Sequence, residues 1–339
     1  MIKSFKKITV LTGDHRLPDT TKRNSRFNDE DTTTTEAMKS AFRSLPEYEF
    51  TFLDNHATLL DQLRENLPDL VVNFCDTGFE NRPDYELNIP AYLELLGIPY
   101  TGAPPAAMVI CYDKAIVRLV ASAHGVPVPR EQFIEAGVLG VAKPDFYPVI
   151  LKPNTADGSV GITKDAVVRS PEEAHQYLNW MRKALPGYDV LAQEYLSGPE
   201  YGMAAIGNLE TELHILPLLE VDYSRLPAEL TPILSFESKV FPDSPYWTDV
   251  KFRTASLSSD LEEKMKAWVK ILFNRLGLRD YARFDFRVGA DGEPKLLEVN
   301  PNPAWAYDGK MAFMAGFAGL EYREMLHLIV KAAIGRLSA

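Results

Sequence analysis

Two cysteines in 339 residues, Cys75 and Cys111, are too few for a disulfide framework or a cysteine-ligated metal site. Both lie in apolar surroundings, where a thiol packs as a small hydrophobe. No apolar run approaches the eighteen or so residues of a membrane span. "MIKSFKKITVLTG" has too short an apolar part, and no small-residue cleavage site, to be a signal peptide. A cytosolic (cytoplasmic) protein without a membrane partner is expected. Excess positive charge is also missing: the formal charge of -11 argues against broad binding to nucleic acid, where phosphate neutralisation dominates, although a local cationic pocket stays open. The six histidines show no metal-like spacing, and His15 and His56 read as solvated loop residues. What remains is ample for a globular protein of two or three domains, with 46% hydrophobic and 24% charged residues.

Along the chain, "KITVLTG", "YEFTFLD" and "DLVVNFCD" read as strands. Between them lie "TTTTEAMKSAF", a threonine-rich helix start, and "ATLLDQLREN". Such alternation predicts a parallel sheet. "YELNIPAYLELLGIPYTG" reads as helix, turn and short strand, with Gly97 ending the helix, and closes an N-terminal α/β domain over residues 1–112. A middle domain over 113–204 holds "YPVILKPNTADGSVGITK", read as strand, glycine loop and strand, and a helix over "SPEEAHQYLNWMRKAL" capped by Ser170. The remainder, 205–339, carries strand-like runs, a helix around "LEEKMKAWVKILFNRLG", and the strands "YARFDFRV" and "PKLLEVN" flanking the turn "GADGEP".

Three stretches carry chemistry. Residues two apart on a strand share a face, so Glu298 pairs with Asn300 and Arg283 with Asp285; a hairpin would put all four on one surface. Two readings are open from these residues: ligands for a hard divalent cation, completed by phosphate oxygens, or an Arg-Asp ion pair with Asn300 as a cap. In the second stretch Lys152 ends an apolar run, and Gly158 and Gly161 flank a loop whose backbone amides could cradle an anion; the plainer reading is a hairpin turn beside an exposed lysine. The third, "LAQEYLSGPE", sets Gln193, Glu194 and Glu200 around a segment leaving a strand, or is a solvated linker.

Taken together, Asp113-Lys114, Lys152-Pro153, the glycine loop, "QEYLSGPE", "ARFDF" and "LLEVNPNP" resemble the ATP-grasp superfamily, and most closely its D-alanine-D-alanine ligase group. The resemblance runs from about Ala91 to Ala304. It implies a three-domain ATP-grasp fold and an ADP-forming carboxylate-amine ligase that uses ATP and Mg²⁺, with Mn²⁺ as an alternative. It also implies small-molecule substrates and a homodimer through the N-terminal domain.

By resemblance, Asp285, Glu298 and Asn300 hold the metal, and Lys114 and Lys152 contact phosphates. Gln193 reads the adenine amino group, Glu194 and Leu196 offer backbone hydrogen bonds, and Glu200 holds the ribose. Gly158 and Ser159 belong to the loop covering the phosphates, Lys239 closes over the γ-phosphate, and Arg283 stabilises the oxyanion.

The substrate-facing segments depart from the family: "LTGDHRLPDTTKRNSRFNDEDT" is long and polar, "NFCDTGFENRPDYELNIP" lacks the Gly-Glu-Asp-Gly core, and "NPNPAWAYDGK" replaces a glycine by Ala304 and adds Trp305, Tyr307 and Asp308. Arg16, Lys22, Arg23 and Arg26 could meet an anion on the acyl substrate, Asp308 an amine; the alternative for the basic cluster is a mobile solvated loop. Glu80, Asp84 and Glu86 are equally open, because a helix start favours acids. The expectation is a ligase whose substrates differ from two D-alanines. Competing readings are an authentic D-alanine-D-alanine ligase, a non-catalytic nucleotide-binding regulator, and a phosphotransferase that stops at a phosphorylated product.

Overall fold

The computed structural model describes residues 5–20, 22–138, 140–156 and 158–339. Three parallel strands, β1 (Lys7–Leu11), β2 (Glu49–Leu53) and β3 (Leu70–Asn73), form a sheet in the order β2-β1-β3. The crossover helices Asp29–Arg43 and His56–Glu65 bury Met38 and Phe42, and Leu59 and Leu63, at the three-to-four-residue spacing of one helical face. The first helix begins before the threonines. Asn28 is its cap, accepting from the amides of Glu30 and Asp31 while Asp31 reaches back to the Asn28 amide, so the threonines fall in the following turn.

The second sheet is antiparallel. Its strands β4 (Glu131–Ile134), β5 (Val149–Pro153), β6 (Val167–Val168) and β7 (Val190–Glu194) run in the order β4-β7-β5-β6. The helix Pro171–Ala184 packs on it, and its Ser170 cap accepts from the Glu173 amide. The third sheet takes β8 (Glu200–Gly207), β9 (Leu213–Ile215), β10 (Leu219–Asp222), β11 (Lys251–Thr254), β12 (Asp280–Val288) and β13 (Pro294–Asn300) in the order β11-β10-β8-β12-β13, with β9 also on β8. Strand β8 thus runs across residue 204, where the sequence pattern had suggested a boundary. All eight of its residues are buried, between the helices Ser259–Arg275 and Tyr322–Ser338 on the two faces of the sheet.

The expected hairpin forms. In β12 and β13 Arg283 stands opposite Asn300 and Asp285 opposite Glu298, so these four side chains leave one face of the sheet. The register then shifts, with Phe286 opposite Leu296; Leu297 is the extra residue of a bulge beside this polar group.

Candidate active site between the second and third sheets

A cleft separates β5 and β7 from β12 and β13. Lys114, Lys152, Gly158, Ser159, Gln193, Glu194, Leu196, Glu200, Lys239, Asp285 and Glu298 all line it, and Asn300 reaches it through Asp285. Residues far apart in sequence therefore meet in one chamber.

At one end, Gln193 is 2% exposed. Its Nε2 donates to Glu131 Oε2 at 3.3 Å, while Oε1 is buried without a hydrogen-bond partner among the described residues. A buried acceptor left unmade costs about 1–3 kcal/mol, which a donor on a bound molecule would recover. Nearby, Glu200 Oε2 accepts from Tyr223 Oη at 2.8 Å and from Arg287 Nη1 at 3.3 Å. Arg287 lies between the rings of Tyr195 and Tyr223 and also donates to the Pro232 carbonyl at 2.6 Å. The Glu194 side chain turns to Lys295, and its amide donates to the Arg130 carbonyl, so only the carbonyl side of its backbone could serve a ligand.

At the other end the lysines converge. Lys114 opens the helix Lys114–Ala123 behind its Asp113 cap and donates to the Ala156 carbonyl. Lys152 on β5 is 5% exposed and has no ion-pair partner among the described residues. Burial, with the like charge of Lys114, pulls its pKa down to about 8 despite the opposing field of Glu298. Burial also lowers Lys239 to about 8, against the carboxylate of Glu298. Much of the Lys239 side chain remains open to solvent, however, so water in the cleft weakens its shift, and Lys152 is the more perturbed of the two.

Burial alone would raise Asp285, but Arg283, Lys310 and Lys239 outweigh it and hold the carboxyl well below its usual range. Arg283 donates to both its oxygens at 2.9–3.2 Å, Asn300 Nδ2 to Oδ2 at 3.3 Å, and Lys310 Nζ stands 3.6 Å away. Glu298 is likewise lowered, its burial overcome by Lys114, Lys152 and Arg283. Ser159, at φ +61°, donates to the Leu234 carbonyl at 2.9 Å and ties the glycine loop to the segment bearing Lys239.

Among the described residues no three His, Cys, Asp or Glu side chains form a preformed metal cage. Two ionised carboxylates and an amide are too few to enclose a cation, but they fit Mg²⁺, which commonly takes one or two carboxylates and completes its shell with phosphate oxygens and water.

A second, larger chamber of about 1620 Å³ adjoins the cleft. Gly158, Leu234, Lys239 and Lys310 line both. Its walls include Thr12, Gly13, Asp76 and Thr77 beyond the carboxyl ends of β1 and β3, together with Arg283, Ala304, Trp305 and Asp308.

The other expectations divide. Trp305 stacks on Phe74 with ring centroids 5.4 Å apart and donates to the Phe74 carbonyl, so it joins the first and third sheets. Tyr307 packs edge-on against Tyr322 at the surface. Arg16 is spent on Asp14 and Asp54. Glu86 accepts from Tyr112 and Asp84 pairs with Arg82, while Glu80 lies in a positive-φ turn; none of the three lines either chamber. His56 is not a solvated loop residue: it is 2% exposed, its Nδ1 accepts from the Glu80 amide, and Nε2 contacts the Thr12 carbonyl. The buried loop contacts around Asp14 and Asn81 explain why. Both cysteines are buried and neither is in a disulfide, as expected.

Two site residues escaped the sequence reading. Arg287 stands two residues beyond Asp285, on the same strand face, and alternation alone could have found it. Lys310 opens the helix Lys310–Phe317, just after the segment noted for its aromatic residues and for Asp308, and no local pattern marks it.

Comparisons with known proteins give the family and the fold. The family model "D-ala D-ala ligase C-terminus" matches residues 129–331. The uncharacterized protein y4sG of Sinorhizobium fredii is 30% identical over 250 residues, covering 73% of this chain and 69% of its own. The D-alanine--D-alanine ligase of Moorella thermoacetica is 28% identical over 303 residues, covering 83% and 87%. Among solved structures, D-alanine--D-alanine ligase from Bacillus anthracis complexed with ATP superposes with a TM-score of 0.71 at 19% identity, covering 98% of both chains, a likeness of fold. No helix among the described residues is long and apolar enough to cross a membrane. With the fold, the lysine-lined cleft and the match over residues 129–331 in agreement, the chain belongs to the D-Ala-D-Ala ligase family of ATP-grasp enzymes, ATP-dependent ligases that form ADP.

Proposed function

We propose that the protein joins a carboxylate to an amine through an acyl phosphate, and that at least one of its substrates is not D-alanine. The observation that carries this reading is the junction of the two chambers: the lysine-rich end of the cleft opens, past Lys239 and Lys310, onto a larger space holding Arg283. A nucleotide in the cleft would present its terminal phosphate there to a carboxylate in the second chamber.

In this reading Gln193 Oε1 accepts from the adenine amino group, the Leu196 amide and Glu194 carbonyl bind the ring edge, and Glu200, held by Arg287 and Tyr223, takes the ribose hydroxyls. Lys114, Lys152 and Lys239 meet the phosphates, with the amides of Gly158 and Ser159 above them. Asp285, Glu298 and Asn300 would hold Mg²⁺, which when bound neutralises phosphate charge.

The substrate carboxylate oxygen attacks the γ-phosphorus, ADP leaves, and an acyl phosphate forms. The amine then attacks the acyl carbon, and the tetrahedral oxyanion is met by Arg283 before phosphate departs. Enclosure between the sheets limits hydrolysis of the intermediate.

Exposed Leu95, Val109 and Leu119 lie on the consecutive helices Asn88–Leu95, Pro105–Tyr112 and Lys114–Ala123, the last two packed against β13, and offer an apolar surface for the homodimer that the resemblance implies. The test of the function is phosphate release from ATP and Mg²⁺, screened against amino acids, dipeptides and amines singly and in pairs, with mass spectrometry. A pair-dependent product lighter than its two substrates by one water is expected. Release with a single carboxylate and no acceptor, giving a stable phosphorylated product, would instead favour a phosphotransferase.

A further inference from the structure

The solvent-exposed basic segment Lys22–Arg26 takes a defined backbone course. Asn24 and Ser25 both sit in the left-handed region, at φ +55° and +53°, a conformation that costs non-glycine residues of order 1–3 kcal/mol each and persists only where surroundings impose it. The surroundings are visible. The Ser25 amide donates to the Lys22 carbonyl at 3.0 Å and the Asp19 amide to the Ser25 carbonyl at 3.1 Å, closing the loop on itself. Lys22 pairs with Asp31 at 2.6 Å and lies over Phe27, which in turn stacks on His15 at 4.2 Å.

This scaffold sorts the cations. Arg16 and Lys22 are neutralised within the protein, whereas Arg23 and Arg26 line the second chamber with no ion-pair partner among the described residues. Of the acids on the same wall, Asp31 binds Lys22 and the Asn28 amide, while Asp29 and Glu30 are exposed in the first helical turn, where the dipole favours them, and pair with neither arginine. Asp76 and Asp308 are contributed by other elements of the chamber and suit a substrate ammonium. The chamber is also larger than the roughly 300–1,000 Å³ typical of drug-sized ligand sites, far more than an alanine needs.

We infer that Arg23 and Arg26 form an anion subsite, so that the acyl substrate is an acidic amino acid or a phosphorylated analogue carrying a second anion distant from the reacting carboxylate. This inference rests on the ligase reading above. It predicts discrimination by charge at constant shape, because leaving two guanidinium groups without their anion forfeits charge-assisted hydrogen bonds.

Hydroxylamine supplies a general amine, converting an acyl phosphate to a hydroxamate plus phosphate, so the acyl substrate can be sought without knowing the natural acceptor. The probes are D- and L-glutamate, D- and L-aspartate and O-phosphoserine, against glutamine, asparagine and alanine. At least one acidic member should exceed its neutral counterpart in kcat/KM by tenfold or more. The R23Q/R26Q variant should raise KM for that member at least tenfold and erase the preference, while the KM for ATP stays within twofold. Equal or better use of neutral members, or no hydroxamate from any acidic member although ATP binds, overturns the anion subsite and leaves the nucleotide site standing. Loss of ATP binding together with activity in R23Q/R26Q would also overturn it, assigning the arginines to the fold. Failure of the wild-type protein to bind ATP at all would sink the ligase reading and this inference with it.

Discussion

ATP affinity should depend on pH through Lys152. Before a nucleotide binds, burial holds its pKa at about 8, so the side chain is about nine-tenths protonated at pH 7 and only about one-tenth at pH 9. A phosphate beside the ammonium favours its charged form and returns the pKa toward the ordinary lysine value. The affinity contributed by this pair is therefore fully present below pH 8 and is lost as pH rises through it. From pH 7 to pH 9 the loss is about tenfold, or ~1.4 kcal/mol, with uptake near one proton per nucleotide at the upper end. Lys239 adds a smaller increment of the same sign because solvent reaches it. Isothermal titration with ATP and Mg²⁺ at both pH values, in buffers of different ionisation enthalpy, reads affinity and proton uptake together. The Lys152→Met variant should bind more weakly at pH 7 and show a flatter pH profile. Affinity that does not change with pH, absent proton uptake, or a variant as pH-sensitive as the parent would refute this account of the lysine.

Arg287→Ala strips the buried Glu200 of its guanidinium and should lower unfolding stability by about 3 kcal/mol while raising the KM for ATP; urea melts within 1 kcal/mol of wild type would count against the buried pair. Arg283→Ala should leave ATP binding within about threefold of wild type but cut amide formation by about a hundredfold or more, measured as product by mass spectrometry, and equal losses of both would mean a structural role. Glu298→Gln should abolish turnover and weaken the response of ATP binding to Mg²⁺ in titration calorimetry; unchanged activity would remove Glu298 from the metal set.

The sequence made the backbone of this site readable because strands announce themselves by alternation. "YARFDFRV", the turn "GADGEP" and "PKLLEVN" place four polar residues on one face before any coordinates are known, and β12 and β13 pair in just that sense. Lys114 and Lys152 are different. Neither stands in a pattern that marks it as buried, and only resemblance to a family brought them to one site, where both line the same cleft and Lys114 is tied to Asn154 and Ala156 just beyond β5.

Local chemistry misled in three places. Four consecutive threonines looked like a helix start, but Asn28 with Asp31 makes a reciprocal cap that sets the boundary earlier. His56 looked solvated because its burial comes from Glu80 and Thr12, distant in sequence. The internal ties of the basic loop were illegible because nothing in its composition predicts two left-handed residues, a hydrogen bond from Asp19 and a His15-Phe27 stack. Lys310 acquires its significance only from a partner on another element, Asp285, whereas for Arg287 it is the pairing with Glu200, not its place on the strand face, that the sequence leaves out. Tertiary charge pairing is the information that one-dimensional reading lacks.

The most direct test of the central claim follows oxygen. The acyl substrate identified by the hydroxylamine screen is labelled with ¹⁸O in its carboxylate and turned over with ATP, Mg²⁺ and hydroxylamine as the acceptor, and the released phosphate is weighed by mass spectrometry. The acyl-phosphate route requires one labelled oxygen in each phosphate and ADP as the nucleotide product. Unlabelled phosphate, or AMP with pyrophosphate, would contradict it.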